Sequence, residues 1–187
     1  MNDRIKEQPE KNHGPRVWDI PEGDDRKRLI CPDCNYIAYE NPKIVVGTVC
    51  TYRDKILLCK RAINPRKGFW TIPAGYMELN ETTYEGTIRE SREEAGIDLQ
   101  LGPLLAIYNL PRIHQVQIFY KGHVNTPELD PGPESEEANF FSWRNIPWDN
   151  LAFPTVKLAL EYHKITKKEE NFIPEQKVIT AQLPAAT

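Results

Sequence analysis

Gly75-Tyr76-Met77-Glu78-Leu79-Asn80-Glu81-Thr82-Thr83-Tyr84-Glu85-Gly86-Thr87-Ile88-Arg89-Glu90-Ser91-Arg92-Glu93-Glu94-Ala95-Gly96-Ile97 is the stretch around which the rest of the chain is arranged. Pro73 and Gly75 end the apolar run that precedes it. Thr82 and Glu85 form a capping box, in which the threonine and a glutamate three residues on satisfy each other's free backbone N–H groups. Gly96 suits the left-handed residue that stops a helix. These signals predict a helix of about 13 residues between them. At about 100° per residue, Tyr84, Ile88, Ser91 and Ala95 share one stripe, the expected packed face. Glu90, Glu93 and Glu94 fall on the opposite side.

Three glutamates on one face repel one another, at about 0.2–0.5 kcal/mol per like-charged pair one turn apart. Folding gains nothing from that arrangement. A hard divalent cation removes the penalty, because Mg²⁺ takes one or two carboxylates together with waters and substrate phosphates. Gly86, one turn before Glu90, costs about 1 kcal/mol against alanine in a helix interior, and it is expected to leave room for a bulky ligand. Read alone, three glutamates describe a solvated acidic face better than a metal site.

The full spacing says more. Gly75, five residues, Glu81, seven residues, Arg89-Glu90, two residues, Glu93-Glu94, one residue, Gly96 and an apolar Ile97 resembles the Nudix box of the Nudix hydrolases, with every fixed position filled. Ser91 stands where that family usually has an apolar residue. The resemblance implies a loop–helix–loop that binds Mg²⁺ or Mn²⁺ and directs water at a phosphoanhydride. It implies Glu90 and Glu94 as principal metal ligands, Glu93 beside them and the Ala74 carbonyl as a further contributor. Arg89 and Glu81 are expected to brace the motif.

The remaining sequence fits this frame. The 187 residues allow one domain with a small appendage, and an apolar fraction of 40% is enough for a core. A net charge of −3 argues against bulk nucleic-acid binding, so no DNA partner is expected. No stretch approaches the ~18 apolar residues of a membrane span, and the N-terminus lacks a signal-peptide core. Four cysteines, two of them in a C-x-x-C, point to a reducing compartment, and a cytoplasmic location is expected.

Residues 1–42 begin polar and Pro-rich and then carry Cys31-Pro32-Asp33-Cys34. C-x-x-C on a turn is half of a zinc ribbon, and a closed structural site needs four ligands. The stretch from Trp18 to Arg26, the two cysteines, and Tyr39-Glu40-Asn41-Pro42-Lys43 resemble the N-terminal ribbon of a Nudix subgroup that includes FAD and ADP-ribose pyrophosphatases. In that subgroup a further C-x-x-C precedes this segment; here the place holds Glu10-Lys11-Asn12-His13. Two readings stand: Zn²⁺ held by Cys31, Cys34, Glu10 and His13, or a ribbon that has lost its metal and keeps its shape by packing.

From Lys43 the chain reads as strands. Ile44 to Tyr52 and Ile56 to Cys59 predict a hairpin around Arg53-Asp54. Cys50 and Cys59 read as small buried hydrophobes. A basic loop with Arg61, Arg66 and Lys67 leads to Phe69-Trp70 and sits where it can meet a polyanion. Leu99 to Leu110 and Arg112 to Val124 predict two more strands joined at Pro111, with Tyr108, His114 and Gln115 as candidates to line a base pocket. Asn125 to Gly132 reads as a Pro-rich loop, and Glu134 to Phe141 as acidic residues beside a short strand. The family places a late acidic residue there, as a further ligand or a base; Glu134 fits first and Glu137 second. Thr155 is expected to cap a helix running to about Lys167. Residues 169–187 read as an extended tail lying on a partner subunit, and a homodimer is expected.

The fold that the resemblance implies is the Nudix α/β/α sandwich with a mixed sheet, an α/β (α+β) domain over residues 43–168. The residues alone indicate α+β with one acidic metal helix. The expected activity is a metal-dependent pyrophosphohydrolase for a nucleoside diphosphate linked to another moiety, ADP-ribose or FAD first. Arg61, Phe69, Tyr76, Tyr108 and Glu137 are the expected contacts to this small nucleotide substrate. NADH, nucleoside triphosphates or capped RNA are the alternatives within the family. The NADH-cleaving branch carries a Ser-Gln-Pro-Trp-Pro-Phe-Pro stretch that this chain lacks. A non-catalytic nucleotide-binding module is the alternative outside it, opposed by the intact glutamates.

Overall fold

The computed structural model describes residues 13–169 and 171–180. Residues 13–41 belong to one compact unit and residues from Pro42 onward to a second. In the first, β1 (Val17–Asp19), β2 (Arg28–Ile30) and β3 (Ile37–Ala38) pair antiparallel in the order β1-β2-β3. Cys31 and Cys34 lie in the turn after β2, Cys31 buried and Cys34 exposed.

The second unit holds a mixed sheet. Its strands are β4 (Lys43–Tyr52), β5 (Lys55–Arg61), β6 (Trp70–Thr71), β7 (Ala74–Tyr76), β8 (Gln100–Leu110), β9 (Gln115–His123), β10 (Ser135–Ser142) and β11 (Glu175–Val178). The helices are α1 (Thr83–Ala95) and α2 (Pro154–Thr166). The main order is β10-β5-β4-β9-β8-β11, with β6 on β5 and β7 on β4. β4 runs parallel to β9 and β11 parallel to β8; the other pairs are antiparallel. The hairpin turns where expected, with Thr51 opposite Ile56 and Tyr52 opposite Lys55.

Successive side chains of a strand point to opposite faces, and here both faces are covered. Val49, Ile56 and Leu58 join Val156, Ala159 and Leu160 of α2 in one core. Cys50, Leu57 and Cys59 join Ala95 at the end of α1 in the other. This is the expected sandwich, and it explains why β4 and β5 are apolar runs rather than alternating ones. Among the described residues no helix is long and apolar enough to cross a membrane.

Two expectations are corrected. Helix α2 starts at Pro154, whose missing N–H suits the first turn. Thr155 is 2% exposed inside it and makes no cap. Within the segment expected as a tail, Glu175–Val178 instead extends the chain's own sheet, Glu175 pairing with Ala106 and Val178 with Asn109, and residues 181–187 lie outside the described residues.

Candidate functional site

Helix α1 has the expected ends. Thr82 Oγ1 accepts from the Glu85 N–H at 3.2 Å, and Glu85 Oε2 accepts from the Thr82 N–H at 2.8 Å. Gly96 closes the helix at φ 65°, its N–H donating to the Arg92 carbonyl at 2.9 Å. Ser91 is fully buried and donates to the Thr87 carbonyl at 2.7 Å, so the polar substitution is satisfied within the helix.

The packed face is rotated from the expected stripe. Gly86, Thr87, Glu90, Ser91, Glu94 and Ala95 are buried, whereas Tyr84 is exposed. Two of the three glutamates therefore face the sheet, and only Glu93 stands in solvent. The reason is that partners wait for them there. The Ala74 N–H on β7 donates to Glu94 Oε2 at 3.0 Å. Arg89 Nη1 donates to Glu90 Oε1 at 2.7 Å and to Glu93 Oε2 at 3.1 Å.

Arg89 also ties the helix to the loop before it. Its Nη2 donates to Glu81 Oε1 at 2.8 Å and to the Tyr76 carbonyl at 3.0 Å, and its Nε to Glu81 Oε2 at 3.0 Å. Glu81 accepts the Glu78 N–H as well, at 2.6 Å. Arg89, then that N–H, hold the Glu81 carboxyl down to about 2.

The glycines are spacers inside this network. A Cβ at Gly75 would collide with the Glu90 carboxylate. A Cβ at Gly86 would lie 2.6 Å from Glu81 Oε1 and 3.0 Å from a Val46 methyl. The room at Gly86 is thus filled by the protein's own side chains, which corrects the expectation that a ligand fills it.

Burial sets the electrostatics. Desolvation pushes the Glu94 carboxyl up to about 8; the Ala74 N–H and Arg61 oppose the rise, while Glu90 and Glu134 add to it. Burial also raises Glu90, against the pull of Arg89. Glu90, Glu93, Glu94 and Glu134 line one cavity of about 960 Å³ together with Arg61, Arg89 and Arg112. The Ala62 N–H donates to the Glu134 carbonyl at 2.8 Å, which pins the acidic loop beside Arg61.

These residues fit a Mg²⁺ or Mn²⁺ ion of the solvated kind. Among the described residues no three His, Cys, Asp or Glu side chains form a ready-made cage. Mg²⁺ does not require one, since it keeps waters and shares substrate phosphates. The buried, mutually repelling Glu90 and Glu94 supply the need for positive charge. The N-terminal unit fits zinc less well. Asp33, between the cysteines, is held by Arg16 at 2.7 and 2.9 Å. His13 is exposed, and Glu10 lies outside the described residues. Two cysteines do not make a closed zinc site, which takes four ligands.

Of the expected substrate contacts, Arg61 and Tyr76 line the cavity, as do Ala74 and Gln115. Tyr108 does not: it is fully buried, and its hydroxyl donates to Glu175 Oε2 at 2.7 Å. Its ring packs in the core with Phe119 and with Val156 and Leu160 of α2. Phe69 stacks under Arg66, whose guanidinium carbon sits 4.4 Å from the ring centroid, and Phe69 is not part of the cavity wall. Glu137 and His114 are exposed and outside that wall.

Sequence reasoning missed Gln117, Arg112, Phe153 and Ile179, all of which line the cavity. Gln117 had a signal, since Gln115 and Gln117 are polar residues two apart in an apolar strand. Ile179 had none, because its N–H reaches the Asn109 carbonyl, at 2.8 Å, only after β11 has paired.

A fold of this kind, carrying a buried acidic helix beside a large cavity, defines a class, and comparison with known proteins agrees. The NUDIX domain model matches residues 41–166, and the chain belongs to the Nudix hydrolase family. The family's zinc-ribbon model, described as Nudix N-terminal, matches residues 14–40. The crystal structure of a NUDIX hydrolase from Nitrosomonas europaea is 39% identical, with a TM-score of 0.80, covering 87% of this chain and 94% of that one. An ADP-ribose pyrophosphatase of Methanocaldococcus jannaschii is 35% identical over 136 residues, 71% of this chain and 75% of that protein. The NAD-capped RNA hydrolase NudC of Stutzerimonas stutzeri is 29% identical over 126 residues, 65% of this chain but only 44% of NudC.

Proposed function

We propose that this enzyme hydrolyses the diphosphate of an adenine nucleoside diphosphate linked to a second moiety, with ADP-ribose the preferred substrate and FAD next. One observation carries the reading: a single cavity is lined both by the acidic cluster and by the apolar Leu110, Ile113, Phe119 and Ile179. It offers a diphosphate a charged wall and a nucleoside an apolar one. The likeness to the Methanocaldococcus ADP-ribose pyrophosphatase over most of both chains supports the same choice.

Glu90 and Glu94 would hold Mg²⁺ or Mn²⁺, with Glu93, Glu134 and the Ala74 carbonyl available to complete the shell. The ion supplies charge neutralisation at the phosphates and makes water acidic enough to attack near neutral pH. Arg89 keeps the Glu90 carboxylate in place, and the Ala74 N–H does so for Glu94. Arg61 and Arg112 bring positive charge to the cavity for the phosphates. Water adds to one phosphorus, the P–O–P bond breaks, and the attacking water's proton passes to a carboxylate of the cluster and then to solvent. The products are a nucleoside monophosphate and a second phosphate ester.

The four cysteines, all free thiols, support a reducing, cytoplasmic setting.

The test is kcat/KM for ADP-ribose, FAD, NADH, a nucleoside triphosphate and an NAD-capped RNA, at one fixed Mg²⁺ concentration. ADP-ribose or FAD is expected to lead. A tenfold lead by the triphosphate or the capped RNA would overturn the substrate assignment.

A further inference from the structure

Strand β11 buries little of its own: Gln176, Lys177 and Val178 are exposed. It is nevertheless fastened at both ends. At its start the Tyr108 hydroxyl, on a fully buried side chain, donates to Glu175 Oε2 at 2.7 Å. Just past its end the Ile179 N–H donates to the Asn109 carbonyl at 2.8 Å. Lys177 Nζ lies 2.7 Å from Glu175 Oε1, so that carboxylate is held from two sides.

Alternation decides where Ile179 stands. Glu175, Lys177 and Ile179 share one face of their segment, as Tyr108 and Leu110 share one face of β8. The Tyr108–Glu175 hydrogen bond makes these the same face of the sheet. Val178 lies opposite Asn109, so Ile179 comes beside Leu110, and both line the cavity. The two differ in what they leave open. Leu110 is 6% exposed, whereas Ile179 packs on the core and remains only half-buried, with surface free for a ligand. Ile113, three residues past Leu110, lines the cavity too and is 43% exposed. Isoleucine gains nothing from a phosphate or from ribose hydroxyls. It gains from covering a flat, weakly hydrated group, which in a nucleoside diphosphate is the base.

We infer that the C-terminal strand is part of the substrate site: Ile179 is a wall for the nucleoside base, and the Tyr108–Glu175 hydrogen bond sets that wall in place. Ile179 touches the substrate; Tyr108 and Glu175 are positioning residues that act through β11. This rests on the substrate class proposed above and adds to it a specificity element far in sequence from the acidic helix.

The experiment measures KM for ADP-ribose, and calorimetric binding of α,β-methylene-ADP and of methylenediphosphonate, at one Mg²⁺ concentration. The last two share an uncleavable diphosphate and differ by the adenosine. Ile179→Ala is expected to raise KM for ADP-ribose and Kd for α,β-methylene-ADP by about tenfold, the scale of a lost apolar contact in a pocket. Tyr108→Phe, which keeps the ring in the core and removes only the hydroxyl, is expected to weaken α,β-methylene-ADP by about threefold. Methylenediphosphonate is expected to bind both variants as it binds wild type. A purely structural role would weaken the two diphosphonates alike. Hydrogen exchange on the unaltered chain reads the same wall should a variant not fold. There α,β-methylene-ADP is expected to slow the amides of residues 175–180 by about threefold or more, and methylenediphosphonate to leave them unchanged. Wild-type KM in Ile179→Ala, equal losses for the two diphosphonates, or exchange at 175–180 indifferent to the adenosine would overturn the inference and leave the hydrolase reading intact. Failure of wild type to cleave ADP-ribose and FAD would overturn the proposed function instead, and the diphosphonate comparison would still decide the wall.

Discussion

Gly75 lies directly against the carboxylate of Glu90, so close that any side chain at residue 75 would displace that carboxylate. The strand β7 and the helix α1 meet at this point, and the meeting fixes where Glu90 sits. Gly75→Ala is therefore expected to lower kcat by about a hundredfold, the scale at which an ångström of misplacement acts on catalysis. Far-UV circular dichroism should stay native. Unchanged kcat would show that Glu90 has no fixed role in turnover.

Glu94→Gln separates catalysis from stability. Loss of about a hundredfold or more in kcat is expected if this carboxylate counts as a charge-stabilising group worth about 2.7–4 kcal/mol. Stability should move the other way in metal-free buffer. The folded Glu94 carboxyl titrates at about 8, above its ordinary value of 4.5. The unfolded chain thus loses this proton first as pH rises. Stability from this group is present below about 4.5 and is lost as pH climbs through about 8. Thermal melts in EDTA at pH 8.5 should show Glu94→Gln melting above wild type, with the gap narrowing at pH 5. Added Mg²⁺ should raise the wild-type midpoint more than that of the variant.

His163 on α2 sets a second pH dependence, far in sequence from the acidic helix. It is 5% exposed, and neither ring nitrogen has a hydrogen-bond partner. Burial pushes its pKa down to about 4, with the charges of Lys121, Lys167 and Lys164 adding to the shift. The unfolded chain takes up this proton first as pH falls from about 6.5 toward about 4. Over that window wild type should lose about 3 kcal/mol through this group. His163→Leu should remove most of that slope in urea unfolding at pH 7 and pH 4.5. Parallel curves for the two proteins would show that His163 does not stay neutral.

The N-terminal unit should carry zinc only below one equivalent per chain, because the described residues offer two cysteines and an Asp33 already paired with Arg16. Metal analysis of purified, untagged protein checks this. One tightly held zinc, lost in Cys31→Ser, would require ligands from elsewhere in the chain, such as Glu10 and His13.

The acidic helix was legible because its signals are local. Thr82, Glu85 and Gly96 fix its ends by hydrogen bonds within a few residues, and the spacing of the glutamates identifies its chemistry. Which face it buries was not legible, because the decision rests with the Ala74 amide and with Gly75, both on another element. Tyr108 was misplaced for a related reason. Alternation along a strand tells which residues share a side, but not that α2 packs on that side or that a distant segment adds to the strand's edge. That edge segment, Glu175-Gln176-Lys177-Val178, has almost no apolar pattern of its own. It is a strand because β8 offers it an open edge.

That closure has a consequence in colloidal terms. An uncovered β8 would present a long apolar edge, from Leu104 to Leu110, as a template for a neighbouring molecule. With β11 in place, the outermost strands of the sheet are β11 and β10, which carry Lys177 on one and Glu136 and Glu137 on the other. Each rim of the sheet ends in charge, and strands from separate molecules meet hydrated ions before they meet an open backbone.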